Sequence, residues 1–262
     1  MSALRPVILL RFLVLAALST MTACTTIGQR GKQMTTAPDS ITGQILTSLD
    51  RTNAGLQTFK GIGSLKLWKN DTAQVQERMA WIGAVPSRLS VVVFASGRPA
   101  LKMATDGKRL YAVDFYNPKR TFYETPAANL GLKRLISLPL KPGDMVTLLS
   151  GRIPISAHQK VQLQPDASGK GFVVSLINWS RTVQKIFLNS TRDEVRKIEM
   201  FGNRGVLLYR AEFDSRRMVQ GYRVPFMLNI SDDAGNRMRL DIERYMADVA
   251  VDPSMFVLKP PK

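Results

Sequence analysis

Hydrophobic and polar residues alternate with a period of two from Phe59 onward. Phe59, Gly61, Gly63, Leu65 and Leu67 fall on one side of the chain, and Lys60, Ser64 and Lys66 on the other. That period predicts a half-buried β-strand. The two glycines thin its start, as at a bend or a close approach of another backbone. The alternation returns over 74–84, 89–94, 100–105, 109–115 and 121–124, broken by Asn70-Asp71, Pro86-Ser87, Ser96-Gly97-Arg98-Pro99, Asp106-Gly107 and Asn117-Pro118. Links this short predict an antiparallel meander. Seven more strands are expected at 158–163, 172–177, 183–189, 195–201, 206–213, 225–231 and 237–245.

Three stretches follow a helical period instead. Ser40 is placed to cap a helix in which Ile41, Ile45 and Leu49 form one stripe beside Leu46. Ala128, Leu132, Leu135 and Ile136 share a second helical face. Pro142-Gly143-Asp144 opens a third helix, with Asp144 as its expected cap, Met145, Leu148 and Leu149 apolar, and Gly151 as its stop. The fold class is therefore mainly β with a few helices. A dozen antiparallel strands in one sheet must curl. The expected architecture is an incomplete antiparallel β-barrel of about 11–13 strands, its concave face covered by the N-terminal helix and the central helix pair. Such a shape can enclose an apolar cavity.

Composition narrows the chemistry. The chain has 262 residues and a single histidine, His158, which disfavours His-ligated metal sites and a Ser-His-Asp triad. A single cysteine excludes a disulfide framework. Gly61-x-Gly63 sits inside a strand with no third glycine, so it is no dinucleotide fingerprint. No nucleophile elbow, P-loop or zinc-protease motif is present. No metal site, cofactor or enzymatic activity is expected.

The lone cysteine has a telling position. Arg5 and Arg11 form a positive stretch before an apolar run over 12–18 that is too short to span a bilayer, and Met21-Thr22-Ala23 leads directly to Cys24. This pattern resembles a bacterial lipoprotein leader, which implies removal of residues 1–23 and acylation of Cys24. Thr25 follows the cysteine, and lipoproteins of this kind without Asp at that place are exported to the outer membrane. Residues 24–39 are polar and aperiodic, so they read as a lipidated tether; 40–262 reads as a single domain. Cleavage takes away Arg5 and Arg11 and no acid, lowering the formal charge from +17 to +15. So basic a surface suits anionic neighbours. Outside the cytoplasm these are membrane surfaces and envelope polyanions rather than nucleic acid.

Four stretches carry a family resemblance. They are Phe59-Lys60-Gly61-Ile62-Gly63-Ser64-Leu65, Arg88-Leu89-Ser90-Val91, Leu138-Pro139-Leu140 with Leu148-Leu149-Ser150-Gly151-Arg152, and Asp252-Pro253-Ser254-Met255-Phe256. In their order, the sequence resembles the LolA/LolB superfamily of periplasmic lipoprotein carriers and outer-membrane lipoprotein receptors, with the lipobox cysteine of the LolB-like members. The resemblance implies a half-barrel that binds acyl chains of lipids or lipoproteins, in lipoprotein localisation or envelope assembly. It also implies a lipid-anchored location on the outer membrane of a Gram-negative bacterium, facing the periplasm. Other envelope-assembly proteins are further expected partners. Under this reading Leu65, Leu67, Trp81, Val91, Val93, Leu101 and Met103 line the cavity. Leu132, Leu135, Met145 and Leu148 form its lid. In LolB-like receptors a leucine in the loop between the third and fourth strands helps deliver cargo. Here Gly97 and Arg98 occupy that membrane-facing loop, where Arg98 can meet phosphate but cannot insert. The competing expectation is a structural envelope lipoprotein with a closed core, docking an anionic partner through its basic surface.

Overall fold

The computed structural model describes residues 40–116, 121–127 and 136–261. The leader, Cys24 and the tether lie outside these residues, as do Leu132 and Leu135 of the expected first lid helix. The chain begins with α1 (Ile41–Arg51), where Ser40 Oγ accepts from the Gly43 amide at 3.0 Å, as the sequence predicts. Six strands follow: β1 (Thr58–Lys69), β2 (Thr72–Ala84), β3 (Arg88–Ala95), β4 (Arg98–Thr105), β5 (Arg109–Asp114) and β6 (Thr121–Pro126). Then comes α2 (Pro142–Leu149), and after it β7 (Lys160–Pro165), β8 (Phe172–Asn178), β9 (Arg181–Leu188), β10 (Val195–Phe201) and β11 (Leu207–Asp214). A small hairpin of β12 (Arg217–Val219) and β13 (Tyr222–Val224) precedes β14 (Met227–Ser231) and β15 (Arg237–Ala247). Two 3-10 turns lie at Asn203–Gly205 and Pro253–Phe256.

All strands except β12 and β13 form one antiparallel sheet, ordered β6-β5-β4-β3-β2-β1-β15-β14-β11-β10-β9-β8-β7. The sheet is open, with β6 and β7 at its edges. Its centre is the pairing of β1 with β15, where Leu65 faces Leu240 and Leu67 faces Met238. A bulge between Ile62 and Gly63 lets β15 carry one extra residue there. Gly63 is required at this bulge, because a Cβ would lie 2.3 Å from the Asp241 carbonyl oxygen.

One face of the sheet is apolar along its length. Leu65, Met79, Leu89, Met103, Val174, Ile186, Ile198, Leu228 and Leu240 are all buried on it. Burial at about 25 cal/mol per Å² of apolar surface makes this face the main source of stability. Ile45 of α1 and Met145, Val146, Leu148 and Leu149 of α2 join the same core. At the centre, large and small residues oppose each other: Phe59 lies across from Gly83, and Trp81 across from Gly61. Each ring fills the space that a Cβ on its partner glycine would need. Phe59 also stacks on Tyr245, with centroids 5.7 Å apart.

The other face mixes charged and apolar residues. Its long cations lie over aromatic rings: Lys197 over Phe187 at 3.9 Å, Lys185 over Phe201 at 5.8 Å, and Arg237 over Trp68 at 5.1 Å. Such contacts are worth about 0.5–1 kcal/mol when exposed. The turn Pro253–Phe256 packs against β3 and β4, burying Phe256 beneath the Arg88 guanidinium. No helix among the described residues is long and apolar enough to cross a membrane.

Two expectations are corrected. Asp144 is not the cap of α2; Lys141 is, without a side-chain bond, and Asp144 stands in the first turn. The β12–β13 hairpin was not expected. Three-residue strands such as Arg217-Met218-Val219 are too short for alternation to register.

Candidate functional site

The helix-covered face holds an apolar cleft of about 50 Å³. Strand β1 supplies Leu65, β2 supplies Met79, β3 supplies Leu89, Val91 and Val93, and β4 supplies Leu101 and Met103. Met238 of β15 adds a side, and Ile136, Met145 and Leu149 close the top. Every lining residue is apolar, and four are methionines, whose unbranched side chains adapt to varied shapes. Among the expected lining residues, the structure brings together Leu65, Val91, Val93, Leu101, Met103 and Met145. Leu67 packs half-buried beside the core, and Trp81 is spent on Gly61. Leu148 is fully buried away from the cleft, and its neighbour Leu149 faces it. Adjacent leucines on a short helix point about 100° apart, so one of the pair must turn aside.

The cleft is small. An engineered core cavity of about 150 Å³ accommodates a benzene; a third of that volume holds no acyl chain. A ligand of that size would need the cleft to widen, and the fastenings of α2, which covers it, can be named. At the N-terminal end, Tyr209 Oη donates to Asp144 Oδ2 at 3.0 Å. Burial raises the Asp144 carboxyl above the usual carboxylate range, opposed by the Tyr209 hydrogen bond, the Lys141 charge and the Lys141 backbone amide. Burial and the facing Asp144 push Tyr209 well above the ordinary tyrosine range. At the other end, Asn53 Nδ2 donates to the carbonyls of Ser150 and Arg223, each at 2.9 Å, and its Oδ1 accepts from the Arg223 amide at 3.1 Å. Gly151 ends the helix with φ +73, where a Cβ would lie 2.5 Å from the Arg223 carbonyl oxygen. Asn53 thus ties the exits of α1 and α2 to β13.

Sequence reasoning missed Asn53 and Tyr209, and it left Met79 and Met238, which fall in the apolar pattern, out of the expected lining. Tyr209 gave a signal, being a polar tip at an inward strand position. Asn53, in a short link, gave none.

A second apolar hollow, of about 350 Å³, lies on the opposite face over β15, β1, β2 and β3. Ile62, Ile82, Val92 and Met246 line it, with Lys60 and Arg244 at its border. The loop with Gly97 and Arg98 is exposed, and nothing lies within 4 Å of a Cβ placed on Gly97. No group of three or more His, Cys, Asp or Glu side chains that could hold a metal occurs among the described residues.

No protein-family model matches the chain. No curated protein matches it either. Solved structures do. A LolA superfamily protein from Nitrosomonas europaea superposes with a TM-score of 0.56 at 15% identity, over 82% of this chain and 96% of that one. A putative outer membrane lipoprotein-sorting protein domain from Vibrio parahaemolyticus gives 0.53 at 10% identity, over 81% and 94%. A DUF1329 family protein from Desulfovibrio piger gives 0.56 at 7% identity, over 82% and 95%. The chain has the LolA-like fold.

Proposed function

We propose that this chain is a non-enzymatic envelope carrier that holds an acyl chain of a lipid or lipoprotein against the helix-covered face of its half-barrel sheet. The observation that carries the reading is the cleft itself, in which eleven apolar residues, four of them methionines, meet beneath a short helix. Methionine fills gaps in ordinary cores too, but it is over-used at surfaces that accept varied apolar partners, and here four meet at one hollow. The lipoprotein sorting named for the Vibrio parahaemolyticus neighbour supports the same class of cargo. Anchoring through an acylated Cys24 to the outer membrane of a Gram-negative bacterium, facing the periplasm, completes the proposal. The anionic membrane surface and other envelope-assembly proteins are its further partners.

The 50 Å³ volume favours one rival reading, a structural lipoprotein whose core stays closed. Native mass spectrometry of the full chain, with and without a single-chain fatty acid, separates the two. The carrier reading expects a one-to-one adduct, and the adduct should weaken when Met103→Glu places a charge in the cleft. A chain that takes no acyl ligand, or whose adduct ignores Met103→Glu, overturns it.

A further inference from the structure

The end of the sheet where β8 turns into β9 carries an anomaly. Asn178 pairs with Arg181 across a two-residue turn, and both central residues, Trp179 (φ 48) and Ser180 (φ 63), are left-handed. Turns of this kind favour Asn-Gly, because side chains resist positive φ. A tryptophan at the first position is the wrong residue for the turn. It is also 79% exposed, so packing gives no compensation. The turn is nevertheless held in place, since the Trp179 amide donates to Gln159 Oε1 at 3.0 Å.

The next turn along the same end, between β10 and β11, repeats the theme. Arg204 has φ 73, and Val206 is 62% exposed. Beside the two turns lies an open hollow of about 520 Å³ lined by Arg181, Thr182, Lys185, Phe201, Arg204 and Gly205. It contains three cations and no acid. None of the three forms an ion pair with a carboxylate among the described residues. The strand order puts the β3–β4 loop, with Gly97 and Arg98, at this same end of the sheet.

We infer that this end is a docking surface for an anionic lipid bilayer, in which Trp179 and Val206 enter the interface and Arg181, Lys185 and Arg204 take the headgroup phosphates. Tryptophan settles at the headgroup level, where its ring is buried and its N–H stays wet. Arginine and lysine near an anionic leaflet add attraction that falls off within a Debye length. An acidic protein would satisfy the cations but leave the indole without a reason to stand free in an unfavourable turn. The inference rests on the envelope reading only for access to a bilayer; it makes no use of the acyl cleft.

The test adds the full chain to vesicles of phosphatidylglycerol and brominated phosphatidylcholine and follows tryptophan quenching. Trp179→Gly installs the residue the turn prefers. Its unfolding midpoint should hold or rise while quenching falls at least fivefold. Arg181→Glu with Arg204→Glu should weaken vesicle binding more than 20-fold, each lost cation alone being worth about fivefold. Salt at 0.5 M should do the same to the wild type. Equal quenching in vesicles of phosphatidylcholine alone, or quenching that survives Trp179→Gly, overturns the inference. So does attachment to vesicles with no quenching at all, which would mean that the lipid anchor or another face makes the contact. Soluble dextran sulfate that binds as tightly as the vesicles marks a general polyanion site and also overturns it. Fatty-acid binding measured on Trp179→Gly reports on the cleft independently and should equal the wild type.

Discussion

Asp144 and Tyr209 show what one buried polar pair contributes to the hold on a short helix. The carboxylate is lifted above its ordinary range mainly by burial, and the tyrosine hydroxyl only partly offsets that cost. A folded state that holds its proton more tightly than the unfolded chain is favoured at low pH. Its stability falls as pH rises from the ordinary aspartate value through the raised one, then levels off. Asp144→Asn keeps an acceptor for Tyr209 and removes the charge. The expected result is a higher unfolding midpoint at pH 7 and loss of this part of the pH dependence; urea melts of both proteins between pH 3 and 7 check it. Tyr209→Phe should act oppositely, leaving the carboxylate buried without its donor and costing about 1–3 kcal/mol. A Tyr209→Phe chain as stable as the wild type at pH 7 would remove this bond from the account of how α2 is held.

At the level of elements, Asn53 connects three pieces of chain by side-chain bonds alone, spanning α1, α2 and β13. Asn53→Ala removes three hydrogen bonds, and at about 0.5–1.5 kcal/mol each it should cost roughly 2–4 kcal/mol. Because the loss falls at the exit of α2, stopped-flow uptake of a fluorescent fatty acid should also accelerate. Unchanged uptake in a destabilised protein would place the gate elsewhere. Much of this layout was legible in the sequence. Long strands such as β1 and β2 announce themselves by alternation, Ser40 by its capping position and Gly151 by its place after an apolar turn. The site was legible only in part, because periodicity assigns a residue to a face and not to a neighbour. It put Leu65, Val91 and Met103 on the right face, but could not tell that Trp81 would be absorbed by Gly61. The choice between Leu148 and Leu149 depended on the rotation of a two-turn helix, which a Pro-Gly start leaves open. Asn53 acts through contacts distant in sequence and left no local mark.

For the molecule as a whole, the proposed lipid anchor and the basic charge would divide the work of staying at a membrane. Exposed cations are screened beyond roughly 8 Å at physiological salt, so they steer and orient but hold weakly. Stable retention needs more than one acyl chain, which a processed Cys24 would carry. Cys24→Ser should therefore move the protein from the membrane fraction to the soluble periplasm after a high-salt wash, as followed by fractionation and immunoblotting. A variant that remains in the outer membrane after that wash would rule out the lipid anchor as the main attachment.

The pairing of β1 with β15 sets a schedule for folding. The first strand of the sheet and the last are neighbours at its centre, so the two halves stay unjoined until the C-terminal strand is available. Contacts between such distant segments must be formed against the entropy of closing nearly the whole chain, and sheets of this kind form slowly. A chain still emerging from the ribosome can pair β1 with β2, but it leaves Leu65 and Leu67 without Leu240 and Met238 on their other side. The sheet is therefore completed at its centre only when its last strand arrives.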